Sequence, residues 1–310
     1  MIWNLLRRLL VAFTALAFIP SAFATPNDGS TQRPLRVMLI PADGGTATGT
    51  LADFKPLFDA ITADTGLHFS LRVGSSYSAV VEAMKGGLID VAWFGPVAYV
   101  QARKAGAAEL LAVSVRDGES SYYAGIFVRA NAPFKTLADL GAKRMSFGDI
   151  NSTSSFSYQV AMLLEAGLDP ARDLSELRIT GSHAASLAAL SSGLVDAACL
   201  SFNSYLRAVD AGSVHAEDYR VLARSEAIPN PPLAMSTALP VAIKQKLKTA
   251  FARVHQAGHI AAASLRGYGN SPVDRYDAAF PEAAFDKPAQ MLERIGDPQL
   301  GAILRKAGQR

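Results

Sequence analysis

Cysteine is all but missing: Cys199 is the only one in 310 residues. One thiol cannot form an intramolecular disulfide, and one chain cannot build a thiolate metal cluster from it. Charge is sparse as well, at 18% of residues against a globular norm of about 25%. The 30 basic and 27 acidic side chains leave +3, and Arg7 and Arg8 supply two of those charges from a segment expected to be removed. A nearly neutral remainder does not suit a nucleic-acid binder that depends on counterion release. No stretch beyond the N-terminal segment reaches the ~18 uninterrupted apolar residues of a membrane span. The G-x-S-x-G, G-x-x-x-x-G-K-[ST] and dinucleotide-binding patterns are absent.

What is present is apolar material. Half the residues are hydrophobic, which provides for a sizeable core and excludes a disordered chain. The length allows about two domains at roughly 150 residues each. Residues 1–24 read as a secretory signal. Arg7 and Arg8 close a cationic start, 9–19 is an apolar stretch, and Ala22-Phe23-Ala24 is a small-residue cleavage site. No cysteine follows it, so a lipoprotein is not expected. The reading is an exported protein beginning at Thr25, most simply in a periplasm, and not membrane-inserted after processing.

Apolar runs at 35–40, 69–73 and 89–94 alternate with helical periodicity at 52–64, 78–86 and 97–105. The order returns with strands at 144–147, 177–180 and 195–200 and helices at 155–166, 184–192 and near 203–211. Such alternation predicts parallel βαβ units. With an offset of 106, residues 76–99 and 182–205 share eight of 24 identities, among them Gly87-Leu88 with Gly193-Leu194 and Asp90 with Asp196. The chain therefore reads as two α/β lobes of similar topology. Lobe 1 is expected over 25–125 plus 232–310, and lobe 2 over 126–231. Two crossings, 122–128 outward and 228–233 in return, would form a hinge beside a ligand cleft.

α/β sheets bind ligands beyond the carboxyl ends of their strands. That places Tyr77, Phe94, the 149–155 loop and His183 at the cleft. Asp149-Ile150-Asn151-Ser152-Thr153-Ser154-Ser155 joins a strand to a helix, where unpaired N–H groups favour an anion. It contains no lysine and suits a small tetrahedral oxyanion, although Ser and Thr are also ordinary cap residues. His183 holds the place in the second copy that Tyr77 holds in the first, and an adjacent anion would favour its charged form. Asp90 and Asp196 sit at strand starts away from the cleft and read as structural. Cys199 reads as core, and His255 with His259 as a helix surface lacking the glutamate of a zinc motif. Gly44-Gly45-Thr46 reads as a flexible loop.

Four stretches carry a family resemblance: Ser75-Ser76-Tyr77, Asp90-Val91-Ala92-Trp93-Phe94-Gly95-Pro96, 148–155, and Gly181-Ser182-His183. Across roughly 34–260 the chain resembles the phosphate/phosphite/phosphonate-binding proteins of ABC importers. The resemblance implies the type II periplasmic binding-protein fold, with two α/β lobes and a cleft between them. It further implies a monomeric, non-enzymatic receptor without a cofactor that delivers a small phosphorus oxyanion to a membrane permease. Tyr77 and His183 would then donate to the oxyanion, Ser152, Thr153 and Ser154 would cradle it, and Phe94 would wall the pocket. Family members that take aminoalkylphosphonates hold the ammonium with two carboxylates, and the matching positions here are Asn203 and Pro231. An unpaired buried ammonium is costly, so the expected ligand has little or no tail: phosphite, methylphosphonate, phosphate or a relative. The alternatives are an oxyanion sensor for a membrane signalling protein and a hydrolase using Ser154 and His183. Residues 265–310 match no pattern.

Overall fold

The computed structural model describes residues 27–41, 46–258 and 260–309. The signal segment, Gly44-Gly45 and His259 lie outside them. Thirteen strands are described: β1 (Leu35–Leu39), β2 (Phe69–Val73), β3 (Val91–Trp93), β4 (Ala108–Val115), β5 (Ser121–Tyr122), β6 (Ala124–Arg129), β7 (Arg144–Phe147), β8 (Glu176–Ile179), β9 (Ala197–Ser201), β10 (Tyr219–Arg224), β11 (Ile228–Pro229), β12 (Pro232–Ser236) and β13 (Arg275–Asp277). The α-helices are α1 (Ala47–Thr65), α2 (Tyr77–Lys85), α3 (Pro96–Lys104), α4 (Tyr158–Glu165), α5 (Pro170–Asp173), α6 (His183–Ser191), α7 (Phe202–Asp210), α8 (Val241–Arg253) and α9 (Asp286–Gly308). The expected βαβ helices and strands fall within a few residues of these bounds.

One sheet has the order β13-β4-β12-β3-β1-β2 and the other β10-β6-β9-β7-β8. In the first, β1 runs parallel to both β2 and β3, with β12 antiparallel beside β3. In the second, β7 runs parallel to both β8 and β9, with β6 antiparallel beside β9. The internal repeat is thus a repeat of topology. It extends to side chains. Asp90 accepts from the Arg36 amide and takes its guanidinium at two points, and Asp196 does the same with Arg144. Each bidentate clamp ties the first strand of a lobe to the start of its third, away from the cleft. These carboxylates are structural, as their position implies.

Buried apolar residues cover both faces of the second sheet. Ile126 and Val128 point into one cluster and Phe127 into the other, which is the period-two alternation of a central strand. Cys199 is fully buried in this core, and burial pushes its thiol pKa up. Thr46 caps α1 by accepting from the Gly49 amide, so the end of the expected flexible loop is a helix start.

The two expected crossings run side by side, since β5 and β11 pair antiparallel between the sheets. A third connection was not anticipated. Helix α9 begins against the first lobe, where Met291 is buried and Glu293 pairs with Lys104 of α3. It turns at Gly296 (φ 63°) and Pro298, and its second half lies on the second lobe. There Ile295 and Ile303 enter the core beside α4 and β8, and Gln299 donates to Asp169. The expectation that all of 232–310 stays with lobe 1 is corrected for this last segment. Its apolar stripe fills the flank of the second sheet.

Candidate functional site

The sequence around residue 150 forms an unusual helix start. Thr153–Ser157 is one turn of π-helix continuing into α4, and Ser152 caps it by accepting from the Ser155 amide. π turns concentrate at functional sites. The leading N–H groups of such a turn lack intrahelical acceptors and carry the positive end of the dipole. Thr153 uses its hydroxyl across the lobe boundary. Helix α3 begins at Gly95, which has no side chain to cap it, and Thr153 Oγ1 accepts from the Val97 amide at 2.8 Å instead.

Other bonds close the same seam. The Tyr77 amide donates to Asp149 Oδ2 at 3.3 Å, Gln101 donates to Asn151 at 2.7 Å, and Asn151 donates to Ser78. At the cleft mouth Asp53 of α1 pairs with Arg207 of α7 at 3.2 Å. Burial raises the carboxyl pKa of Asp149, opposed by the amides of Asn151 and Tyr77.

Tyr77, Ser152, Thr153 and Ser154 converge on one tight spot between the lobes, closed too far in this structure to admit a water-sized sphere. Ile40, Gly95, Tyr122, Pro231 and Tyr268 complete its wall, and among the described residues no charged side chain lines it. Burial raises the pKa of the Tyr122 phenol well above the ordinary value, with Tyr268 adding to it and the neighbouring Ser154 and Thr153 hydroxyls opposing it.

Three predicted site residues lie elsewhere. Phe94 is fully buried in the first-lobe core, because its amide bonds to Pro232 O and keeps the chain in sheet geometry. Gly95 is the residue that reaches the cavity wall. Asn203, on the first turn of α7, lies against the Gly267-Tyr268-Gly269 turn, and its side-chain amide is 3.5 Å from the Tyr268 carbonyl. His183 starts α6 as Tyr77 starts α2, but its ring is buried behind Tyr268. Its Nδ1 accepts from the Ser201 amide at 3.1 Å. The neutral ring then carries its proton on Nε2, which faces Tyr268 Oη at 3.2 Å. Burial drops the His183 pKa to about 3, so the ring is neutral in this structure. Both ring nitrogens are taken, leaving none to serve Ser154 as a base.

Sequence reasoning passed over Tyr122 and Tyr268. The first was read only as part of a crossing strand, and the second lies in the unassigned tail. The one available signal was the Gly-Tyr-Gly triplet, since flanking glycines mark close backbone approach. Trp93 also belongs to this aromatic group, 4.5 Å between ring centroids from Phe54 and 6.1 Å from Tyr268.

Comparison with known proteins agrees with this geometry. A sequence model of the family described as "ABC transporter, phosphonate, periplasmic substrate-binding protein" matches residues 46–278. The phosphate-import protein PhnD of Mycolicibacterium smegmatis is 30% identical over 226 residues, covering 69% of this chain and 70% of that protein. A binding-protein component of an ABC phosphonate transporter from Pseudomonas aeruginosa superposes with a TM-score of 0.74 at 18% identity, over 89% of this chain and 96% of that one. PhnD1 of Prochlorococcus marinus in complex with methylphosphonate gives 0.71 at 18% identity, over 84% and 97%. The aliphatic sulphonate binding protein SsuA of Escherichia coli gives 0.55 at 18% identity, over 86% and 88%. Together with the two sheets and their topology, these likenesses fix the architecture as the type II periplasmic binding-protein fold. The chain belongs to the family of periplasmic substrate-binding proteins of phosphonate ABC transporters.

Proposed function

We propose that this protein captures a small, tailless phosphorus oxyanion (phosphite, methylphosphonate or phosphate) between its lobes and delivers it, as a monomer, to a membrane permease. The observation that carries the reading is the π-helical start at Thr153, with its free-ended amides and the Ser152, Thr153 and Ser154 hydroxyls, gathered with Tyr77 at one spot that no charged side chain among the described residues lines. An anion held there gains charge-assisted hydrogen bonds of about 1.5–3 kcal/mol each. Micromolar affinity needs only about 8 kcal/mol net, after desolvation and closure costs. Pro231 stands on the wall where an aminoalkyl tail would need a carboxylate. The relatives named for phosphate import and crystallised with methylphosphonate support the same ligand class.

The test is calorimetric titration of the purified protein with phosphite, phosphate, methylphosphonate and 2-aminoethylphosphonate. The expected result is tight binding of at least one tailless oxyanion, with 2-aminoethylphosphonate much weaker. Preference for the aminophosphonate would overturn the tailless assignment. No binding by a folded protein would remove the phosphorus oxyanion altogether.

A further inference from the structure

Tyr268 comes from the first-lobe tail yet ends in the second lobe. Its turn is held to the first lobe on both sides. The Tyr276 hydroxyl donates to Arg266 O, and the Val273 amide donates to Leu265 O at 3.0 Å. Gly269 adopts φ 73°, and a Cβ there would stand 2.8 Å from Asn203 Cβ. A Cβ on Gly267 would stand 2.7 Å from Val273. Gly269 lets the backbone press against α7 and Gly267 lets it press against Val273 and Ser114, so that the side chain between them enters the cleft. The ring packs edge-on to Tyr122 with centroids 4.9 Å apart. Its hydroxyl donates to Ser201 Oγ at 2.8 Å and meets His183 Nε2, with Ser204 Oγ 3.5 Å away.

This ring shares the cavity wall with Tyr77 and the π turn, and it stands between that turn and His183. The ring is the wall between the oxyanion donors and a second cavity of about 280 Å³, lined by Asn203, Asn230, Arg116, Asp117 and Glu119. We propose that Tyr268 sets the length of ligand the cleft accepts. Its ring fills the volume into which a substituent on phosphorus would extend, and its hydroxyl takes the polar partners at the far end, His183 and Ser201. This deepens the oxyanion reading and rests on it.

The experiment titrates wild-type protein, Tyr268→Ala and Tyr268→Phe with methylphosphonate, propylphosphonate and butylphosphonate, plus methanesulfonate and propanesulfonate as isosteric probes. Wild type is expected to prefer the methyl over the butyl compound by at least ~100-fold, and Y268A to reduce that preference below ~10-fold. Y268F keeps the ring, so it preserves the ranking while shifting every affinity by a common factor. Tyr268→Leu, shorter but still apolar beside Trp93 and Tyr122, carries the same expectation as Y268A if that variant does not fold. Binding of methylphosphonate by wild type with an unchanged ranking in the Ala or Leu variant overturns the proposal and leaves the oxyanion reading intact. Binding only after truncation of Tyr268 upholds the proposal and overturns the oxyanion reading for the native protein. Binding by neither protein overturns both.

Discussion

Replacing Thr153 with Val tests whether the two lobes cooperate in holding the ligand. The substitution keeps the shape of a buried side chain and removes one oxygen. That oxygen accepts from the Val97 amide at 2.8 Å, capping a helix of the other lobe. Loss of a cap costs about 0.5–2 kcal/mol. Loss of a donor to an anion costs about 1.5–3 kcal/mol. The two losses fall in one cluster and do not simply add, so the combined expectation is about 2–3 kcal/mol, a rise in Kd of roughly 30- to 150-fold. The cap bond joins the two lobes, so the penalty is expected in binding and closure more than in the folding of either lobe. Calorimetry with methylphosphonate, beside thermal unfolding without ligand, separates the two. A Kd within threefold of wild type would refute the assignment of Thr153 to both jobs. A large loss of unliganded stability with affinity intact would make the residue structural.

The other expectations follow from single observations. Ser157 Oγ is buried and makes no hydrogen bond among the described residues, so Ser157→Ala should be neutral or stabilise by about 1 kcal/mol in denaturant titration; a clear loss of stability would reveal a partner. Asp90 is the more buried of the two clamp carboxylates, so Asp90→Ala should cost about 3 kcal/mol and Asp196→Ala about 1; equal costs would contradict the burial argument. Both carboxyls have lowered pKa values, first among the favourable causes being the hydrogen bonds from Arg36 and Arg144, with burial opposing. Their contribution is present above the unfolded carboxyl range and disappears as pH falls through the lowered values. His183 acts in a higher window. Its folded pKa of about 3 lies below the ordinary histidine value of 6.5, so the unfolded chain binds the extra proton between them. Stability should fall as pH drops below about 6.5, by up to about 1.4 kcal/mol per unit from this group. Asp149, raised by burial, opposes that slope. His183→Gln should flatten the acid limb of a Tm–pH profile, and an unchanged slope would count against a buried neutral ring.

The repeat carried most of the fold because it is written in local signals. Helices α2 and α6 each start one residue after a serine whose hydroxyl caps the turn, Ser76 for Ala79 and Ser182 for Ala185. Each is followed by a glycine-leucine turn and the clamp aspartate. Such features depend on neighbours in the chain and can be read along it. Helix α9 could not be read the same way. Its periodicity is broken at Gly296 and Pro298, and what decides its place is the apolar flank that β8, α4 and α5 leave open. That flank exists only after the second sheet has formed.

The site was half legible for a related reason. Duplication supplies each lobe with an equivalent helix start, and from sequence Tyr77 and His183 hold the same place. Equivalence of position does not carry over to equivalence of surroundings. The chain has one tail, and its 267–269 turn reaches one of the two starts. At α2 the helix end meets Asp149 and the cavity. At α6 the same geometry meets Tyr268, whose phenol takes the imidazole that an anion was expected to take. The contact joins residues 85 positions apart in sequence, and only the glycines on either side of Tyr268 hint at it. A symmetric scaffold thus presents an asymmetric cleft, with donors in hand on the Thr153 side and a tethered aromatic ring on the other. That asymmetry is what the proposed ligand asks of the cleft: donors for a small tetrahedral ion at one end, and a ring against anything attached at the other.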